Sequence, residues 1–153
     1  FAYSLSMACN HCAHPACVEG CPTGAMTKDE ETGIVSSDPE TCIGCGACAE
    51  ACPYGVPFVD PESNVARKCD FCQEYVAAGE VPPCVGACSM NALDYGDIDE
   101  LRSKYPDAVA TIDPLPSADV TGPSLLLTPP AKYREGLAVT NFNLPEELEA
   151  CGR

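Results

Sequence analysis

Short apolar stretches alternate with polar turns through the first part of the chain. An acidic turn at 29–33 separates Ala25 and Met26 from Ile34 and Val35, and this arrangement predicts a β-hairpin. The same order returns at 54–68, around a polar turn. A cysteine-containing loop and a short helical segment precede each hairpin, so the pattern indicates an internal repeat.

Further elements are predicted after the second hairpin. Residues 73–78 have helical character, and Gly79 suits the end of that helix. Residues 97–105 begin with a capping box at Asp97, which predicts another helix. Residues 90–95 lie between these helices and resemble the strand that follows each earlier cysteine run.

The periodicity fades from residue 106 onward, where Pro, Asp, Thr and Gly dominate. We expect an extended tail here, with one short helix at Glu146–Ala150. Such a tail is either disordered alone or wrapped around a partner, and its spaced apolar anchors favour the partner. These anchors are Leu125, Leu126, Leu127, Tyr133, Leu137 and Phe142.

Neither a membrane span nor a signal peptide is visible in the sequence. The chain has no run of about 18 apolar residues, which is the length that a membrane helix needs. Its first residues, from Phe1 to Met7, contain no basic region and no apolar core. Because no initiator Met begins the chain, we expect the natural N-terminus to lie further upstream.

The composition allows only a thin hydrophobic core. The 153 residues include 13 Cys, 15 Pro and 12 Gly, but no Trp. Small chains of this kind usually need cross-links or metals for stability. The net charge of −15 argues against a nucleic-acid partner, because phosphates would repel the chain.

Two runs of cysteines give the strongest chemical signal. The second run, from Cys42 to Pro53, reads C-x2-C-x2-C-x3-C-P, which is the spacing of bacterial ferredoxins. The first run, from Cys9 to Pro22, differs in having four residues between its second and third Cys. In two-cluster ferredoxins the fourth Cys of each run binds the other run's cluster. The runs therefore predict a pair of [4Fe-4S] clusters.

Two other interpretations of the cysteines compete with iron–sulfur clusters. A disulfide framework is common in small secreted chains, but such frameworks do not ordinarily repeat the ferredoxin spacing. Structural zinc is the better rival, since C-x2-C pairs also suit a tetrahedral zinc ion. His11 and His14 lie in the first ligand loop, where we expect solvated or hydrogen-bonded side chains rather than iron ligands.

A third cysteine group follows, and the order of all three groups resembles a known family. The third group reads C-x2-C-x11-C-x3-C over 69–88, with Ser89 where the other runs have Pro. The order resembles the iron–sulfur electron-transfer subunits of the anaerobic dimethyl sulfoxide reductases, within the molybdopterin oxidoreductases. The stretches 9–12, 92–96 and 99–102 strengthen this resemblance.

The resemblance implies an α+β fold of bacterial dicluster ferredoxin-like repeats. In such repeats short helices and β-hairpins surround the clusters, and here an extended irregular C-terminal tail would follow. Residues 1–67 would form a dicluster 4Fe-4S ferredoxin-like domain, and 68–96 the remaining half of a second, incomplete one. Residues 97–153 would form a helix and a tail that wraps a partner.

The resemblance also implies ligand sets for four [4Fe-4S] clusters in the full-length protein. Two sets are complete in this chain: Cys9, Cys12, Cys17 with Cys52, and Cys42, Cys45, Cys48 with Cys21. Cys69, Cys72, Cys84 and Cys88 would bind two further clusters that are incomplete here. We therefore expect a fragment truncated at its N-terminus, in which Cys151 is a free thiol.

The function implied by the resemblance is electron transfer without catalysis. Such a subunit relays single electrons between a membrane subunit that oxidises quinol and a molybdopterin catalytic subunit. It would associate with the membrane only through those partners, on a side that the sequence does not specify. The alternatives are a free-standing soluble polyferredoxin and a zinc-stabilised interaction module, and the long tail favours the subunit over the free carrier.

Overall fold

A computed structural model of the protein describes residues 5–131. Its helices are α1 Ala16–Glu19, α2 Ala47–Ala51, α3 Gln73–Ala77, α4 Pro83–Gly86 and α5 Ile98–Lys104, and a 3-10 turn spans Ala118–Val120. Its strands are β1 Met26–Lys28, β2 Val35–Ser37, β3 Phe58–Asp60 and β4 Val65–Arg67. Within this part of the chain, no helix has the length and apolar character needed to cross a membrane.

Both predicted hairpins are present, and an Asp side chain stabilises the turn of each one. Strand β1 pairs antiparallel with β2, and β3 pairs antiparallel with β4. Asp29 Oδ1 accepts hydrogen bonds from the backbone N–H groups of Glu31 and Thr32, at 3.0 and 2.6 Å. Asp60 Oδ1 accepts from the Glu62 N–H at 3.1 Å. An Asp that binds the backbone just ahead of it is a common turn former, so both turns are determined by local residues.

The two short helices of the cysteine runs pack directly against each other. A Cβ atom added at Gly20, just after α1, would lie 3.2 Å from the Ala51 Cβ of α2. This contact is tighter than ordinary van der Waals packing, so only glycine fits between the helices without adjustment. The core around the pair is small, and it consists of Cys17, Met26, Val35, Cys48 and Ala66. Two of these core residues carry thiols, so the core surrounds the cysteines.

The helices predicted after the second hairpin are present, whereas the strand predicted at 90–95 is wrong. Helix α3 ends before Gly79, whose φ of 77° is in the left-handed region. Asp97 caps α5 by accepting from the N–H groups of Asp99 and Glu100, at 2.9 and 3.2 Å. Residues 90–95 are irregular and largely exposed. Among residues 5–131 no other strand pairs with this segment, and the chain turns into α5 directly after it.

The described part of the tail folds back on the chain itself. Val109 and Leu127 exchange backbone hydrogen bonds of 2.9 and 2.8 Å. Thr121 is almost completely buried, at 1 % exposed, and lies against the first cysteine loop. The predicted helix at Glu146–Ala150, three predicted apolar anchors and Cys151 lie outside the described residues. Part of the segment that we expected to wrap a partner therefore covers this chain's own cysteine loop.

Candidate metal centres

Four cysteines from both runs line one cavity. We call them the second thiol set: Cys21, Cys42, Cys45 and Cys48. Three of them belong to the second run, and Cys21 comes from the end of the first run. Met26 and Ala66 complete the apolar wall of this cavity.

The other four cysteines of the two runs line another cavity. We call them the first thiol set: Cys9, Cys12, Cys17 and Cys52. Here Cys52 is the member contributed by the opposite run. Cys17 lies in α1 and Cys48 in α2, whereas Cys21 and Cys52 come just after these helices. The third Cys of each run lines the cavity of its own run, and the last Cys lines the other cavity.

Backbone N–H groups point at sulfur atoms of the second thiol set. The Met26 N–H donates to Cys21 Sγ at 3.4 Å, and the Ala66 N–H donates to Cys42 Sγ at 3.3 Å. Met26 lies in β1 and Ala66 in β4, so each hairpin supplies one donor. Burial opposes ionisation of Cys21, but hydrogen bonds to its sulfur outweigh burial and lower its pKa, and the bond from Met26 contributes most. Such bonds also tune the potential of a cluster that the sulfur binds.

Burial makes the first thiol set costly to ionise in the absence of a metal. It raises the pKa of Cys17 to about 11, and the nearby thiols of Cys9 and Cys52 add to the rise. Burial likewise raises the pKa of Cys9. Close, buried thiolates repel one another, and a bound cation relieves that repulsion. The arrangement therefore suits a metal centre that needs several thiolates in a dry site.

The donor set of the two cavities fits an iron–sulfur cluster. Each cavity presents four thiols and apolar walls, which is the ligand type that [4Fe-4S] clusters take. Among residues 5–131, no three side chains of Cys, His, Asp or Glu converge as a site for a single ion. All cysteines of this region are free thiols, so they do not form the disulfide framework considered above.

The third cysteine group divides into three thiols and one. Burial raises the pKa of Cys72, and the nearby charges of Asp70, Cys69 and Cys84 add to the rise. The pKa of Cys88 is instead lowered, chiefly because the Ala92 N–H donates a hydrogen bond to its sulfur at 3.3 Å. Cys88 thus repeats the N–H to sulfur contact found at Cys21. The ligand sharing that the family resemblance implies for this group stays a prediction.

The histidine inside the first ligand loop is a structural hydrogen-bond acceptor. His11 is 7 % exposed, and its Nδ1 accepts from the Val35 N–H at 2.9 Å. Burial, helped by the charge of Lys68, lowers the pKa of His11 to about 4. The ring is therefore neutral at pH 7 and joins the loop to strand β2. This matches the expectation of a hydrogen-bonded histidine.

A segment remote in sequence covers the first ligand loop. We call residues 117–124 the strap. The N–H groups of Ala13 and His14 donate to the carbonyl oxygens of Gly122 and Thr121, at 2.7 and 2.9 Å. The strap therefore satisfies backbone groups of the loop that carries Cys12.

Lys28 and Lys68 also contact backbone carbonyls near the cysteines. Lys28 Nζ donates to the carbonyl oxygens of Cys12 and Ala13, at 3.0 and 3.2 Å. Lys68 Nζ donates to the Cys69 carbonyl at 2.9 Å. Sequence reasoning missed these lysines and the strap, because their contacts join residues far apart in the chain and no local motif marks them.

Comparison with known proteins agrees with this geometry. Residues 1–98 match the family described as "4Fe-4S dicluster domain". The chain is 50% identical to the B subunit of the anaerobic dimethyl sulfoxide reductase of Haemophilus influenzae over 129 residues, covering 84% of this chain and 62% of that protein. It is 48% identical to the Escherichia coli protein of the same name over 134 residues, covering 88% and 64%.

A third relative is matched over nearly all of this chain. It is the "Probable anaerobic dimethyl sulfoxide reductase chain YnfG" of Escherichia coli, which is 45% identical over 149 residues, covering 97% of this chain and 72% of the relative. The chain spans less than two thirds of the length of the first two relatives, at 62% and 64%. All three comparisons extend beyond the family match and into the tail.

Proposed function

This chain belongs to the 4Fe-4S dicluster domain family, and we propose that it is the electron-transfer subunit of a reductase of the dimethyl sulfoxide reductase type. It relays single electrons between a membrane subunit that oxidises quinol and a molybdopterin catalytic subunit. The chain itself performs no catalysis. The identities of 45–50% with the relatives support this proposal.

One structural observation carries the proposal. Each of two cavities is lined by three cysteines of one run and the last cysteine of the other run. Two separate four-thiol cavities built by exchange between two short helices match the arrangement of two-cluster ferredoxins. We propose that each thiol set binds one [4Fe-4S] cluster, and that residues 1–67 form a ferredoxin-like unit around the pair.

Different residues of the chain bind the proposed clusters, stabilise their charge and exclude water. A bound cluster supplies the capacity to take up and release one electron. The thiolates of the two sets hold the iron, and the N–H groups of Met26 and Ala66 stabilise negative charge on the sulfur ligands. The apolar side chains of Val35, Val56 and Pro57 line the cavity of the first thiol set and keep water from it.

The third cysteine group extends the same proposal. Cys69, Cys72 and Cys84 supply ligands of one further cluster and Cys88 a ligand of another, so that the whole protein carries four. Residues 68–96 then form half of a second ferredoxin-like domain. The subunit associates with the membrane through its partners. The residues beyond the strap are candidates for contact with those partners.

Metal and sulfide analysis tests the cluster proposal. Protein purified without oxygen should contain iron and acid-labile sulfide in equal amounts, with broad visible absorbance that fades on reduction. Stoichiometric zinc without sulfide would contradict the proposal and support the zinc-stabilised module. Cys52→Ser combined with Cys21→Ser removes the exchanged thiol from both sets, and this variant should lose most of the iron.

Purification from the native host separates a subunit from a free carrier. A tagged chain should bring molybdenum with it in a fixed ratio to protein, because the catalytic subunit carries the molybdopterin. A brown monomer without molybdenum would favour the soluble polyferredoxin. The strap gives part of the long tail an internal role, so tail length alone no longer distinguishes these two functions.

A further inference from the structure

Lys68 joins two parts of the chain that carry different cysteine groups. It follows strand β4 directly, is half-buried, and precedes Cys69. Its ammonium group donates to the carbonyl oxygens of Val35 and Cys69. Val35 lies in β2 and lines the cavity of the first thiol set. One positive charge therefore connects the wall of that cavity to the start of the third cysteine group.

The charge of Lys68 acts on the first thiol set. Burial raises the pKa values of Cys9 and Cys17, and Lys68 opposes the rise at both thiols. In the second thiol set, burial raises the pKa of Cys48. The charges that add to this rise are those of neighbouring thiols. The two sets thus have similar ligands and different electrostatic surroundings. In a chain of net charge −15, one half-buried cation is a considerable local asymmetry.

An aromatic contact lies at the same junction. The ring of His11, between Cys9 and Cys12, packs edge to face on the ring of Phe71, with centroids 5.4 Å apart. Phe71 in turn lies between Cys69 and Cys72 in sequence. The charge of Cys69 also contributes to the raised pKa of Cys9. The first thiol set and the third cysteine group are therefore direct neighbours, with Lys68 between them.

We propose that Lys68 is a positioning residue that holds the third cysteine group against the first thiol set and raises the reduction potential of the cluster bound there. This inference rests on the proposed function. Reduction adds one electron and makes the cluster more negative, so a nearby cation stabilises the reduced form. Low local dielectric strengthens that effect in a half-buried site. Val35, whose carbonyl oxygen accepts from Lys68, lines the cavity of the first thiol set and not that of the second, so the two potentials differ partly because of Lys68.

Replacement of Lys68 tests the inference through a potential rather than through activity. Lys68→Met keeps the length of the side chain but removes its charge. The one-electron reduction of the cluster on the first thiol set should become about tenfold less favourable, which is about 59 mV. The cluster on the second set should shift much less. Redox titration followed by electron paramagnetic resonance gives both values, with signals assigned from Cys12→Ser and Cys45→Ser.

Three further variants serve as controls. Lys68→Arg keeps the charge and should restore most of the potential. Lys104→Met removes a charge of the same kind from an exposed ion pair with Asp94, and it should leave both potentials unchanged. If Lys68→Met does not assemble clusters, Lys68→Gln takes its place, since it keeps a donor for the two carbonyl oxygens.

The outcomes separate this inference from the proposed function. An unchanged potential in a neutral variant that retains its iron and sulfide would overturn the role of Lys68. Loss of clusters in both neutral variants, with Lys68→Arg intact, would assign the charge to assembly and would also overturn it. Absence of iron and sulfide from the unmodified protein would instead contradict the proposed function.

Discussion

The backbone N–H of Ser124 donates to the carbonyl oxygen of Asn10 at 2.9 Å, and the Ser124 hydroxyl donates to the carbonyl oxygen of His11 at 3.1 Å. These bonds fix the strap to the residues between Cys9 and Cys12. The loop that carries two proposed ligands thus depends on a distant segment for its shape.

Substitution at Gly122 should release the first ligand loop. Gly122 has a φ of 59°, and an added Cβ would lie 3.0 Å from the Ala13 Cβ. Gly122→Ala therefore combines a strained backbone, costing about 1–2 kcal/mol, with crowding against the loop. We expect faster hydrogen exchange at the amides of Ala13 and His14, which donate to the strap.

Gly33→Ala is the matched control for that substitution. Gly33 has a similar φ of 71°, but an added Cβ would meet nothing within 4 Å. It should cost similar backbone strain at the β1–β2 turn while leaving exchange at Ala13 unchanged. Equal exchange at Ala13 in both variants would show that the strap does not hold the loop.

Exchange of the last cysteines between the two cavities predicts crossed effects. Cys21→Ser should alter the cluster bound by Cys42, Cys45 and Cys48, because Cys21 lines their cavity. Cys52→Ser should alter the cluster of the other set. Magnetic spectroscopy of the two reduced clusters distinguishes them. If each substitution affected only the cluster of its own run, the assignment of the two sets would be wrong.

The third cysteine group should be the most reactive part of the 153-residue chain. Cys84 is exposed, whereas Cys17 and Cys48 are buried. Because the proposed sharing leaves this group without four ligands of its own, we expect alkylation at Cys69, Cys72, Cys84 and Cys88 under anaerobic conditions. Mass spectrometry maps the labelled thiols. Protection of all four, together with a third cluster per chain, would show that the group binds a cluster by itself.

The ion pair beside helix α5 predicts a defined pH dependence. Lys104, at 2.6 Å, and the Tyr105 hydroxyl lower the pKa of Asp94 to about 2, and Asp94 raises the pKa of Lys104. A lowered carboxyl pKa gives stability that is complete above the unfolded pKa of about 3.9 and is lost as the pH falls towards 2. The raised Lys104 pKa gives stability that is complete below about 10.4 and is lost above it.

Between those limits the contribution of the pair should be constant. Asp94→Asn should raise the hydrogen exchange of α5 amides by roughly two- to fivefold, as expected for an exposed pair. The ratio of variant to unmodified protein should be the same at pH 6 and pH 8. Asp107→Asn removes one negative charge just beyond α5 and should have no such effect. A ratio that changes between the two pH values would contradict the assigned pKa directions.

Local spacing made much of the fold predictable from the sequence. The hairpin turns depend on Asp29 and Asp60, each of which binds backbone groups two or three residues ahead. The grouping of thiols likewise depends on the four-residue interval from Cys17 to Cys21 across α1. Such relations involve neighbours along the chain, so residue order is enough to infer them.

Long-range contacts and backbone strain were not predictable in the same way. The third residue of the first C-x2-C loop in each cysteine group is left-handed, with φ values of 40° at His11, 66° at Gly44 and 62° at Phe71. Only Gly44 indicates this in the sequence, since glycine adopts that region without strain. His11 and Phe71 are held there by each other and by their surroundings, so tertiary contacts outweigh their local preference.

The ribosome synthesises the strap well after the first ligand loop, which the strap covers in the folded chain. Ser124 follows His11 by 113 positions, which corresponds to roughly 6–23 s of synthesis at about 5–20 residues per second. During that interval both cysteine runs and both hairpins exist while the first loop still lacks its cover. Iron and sulfide delivered early meet an open loop, and those delivered later meet a closed one. Translation therefore sets the earliest time at which the ligand loop can close.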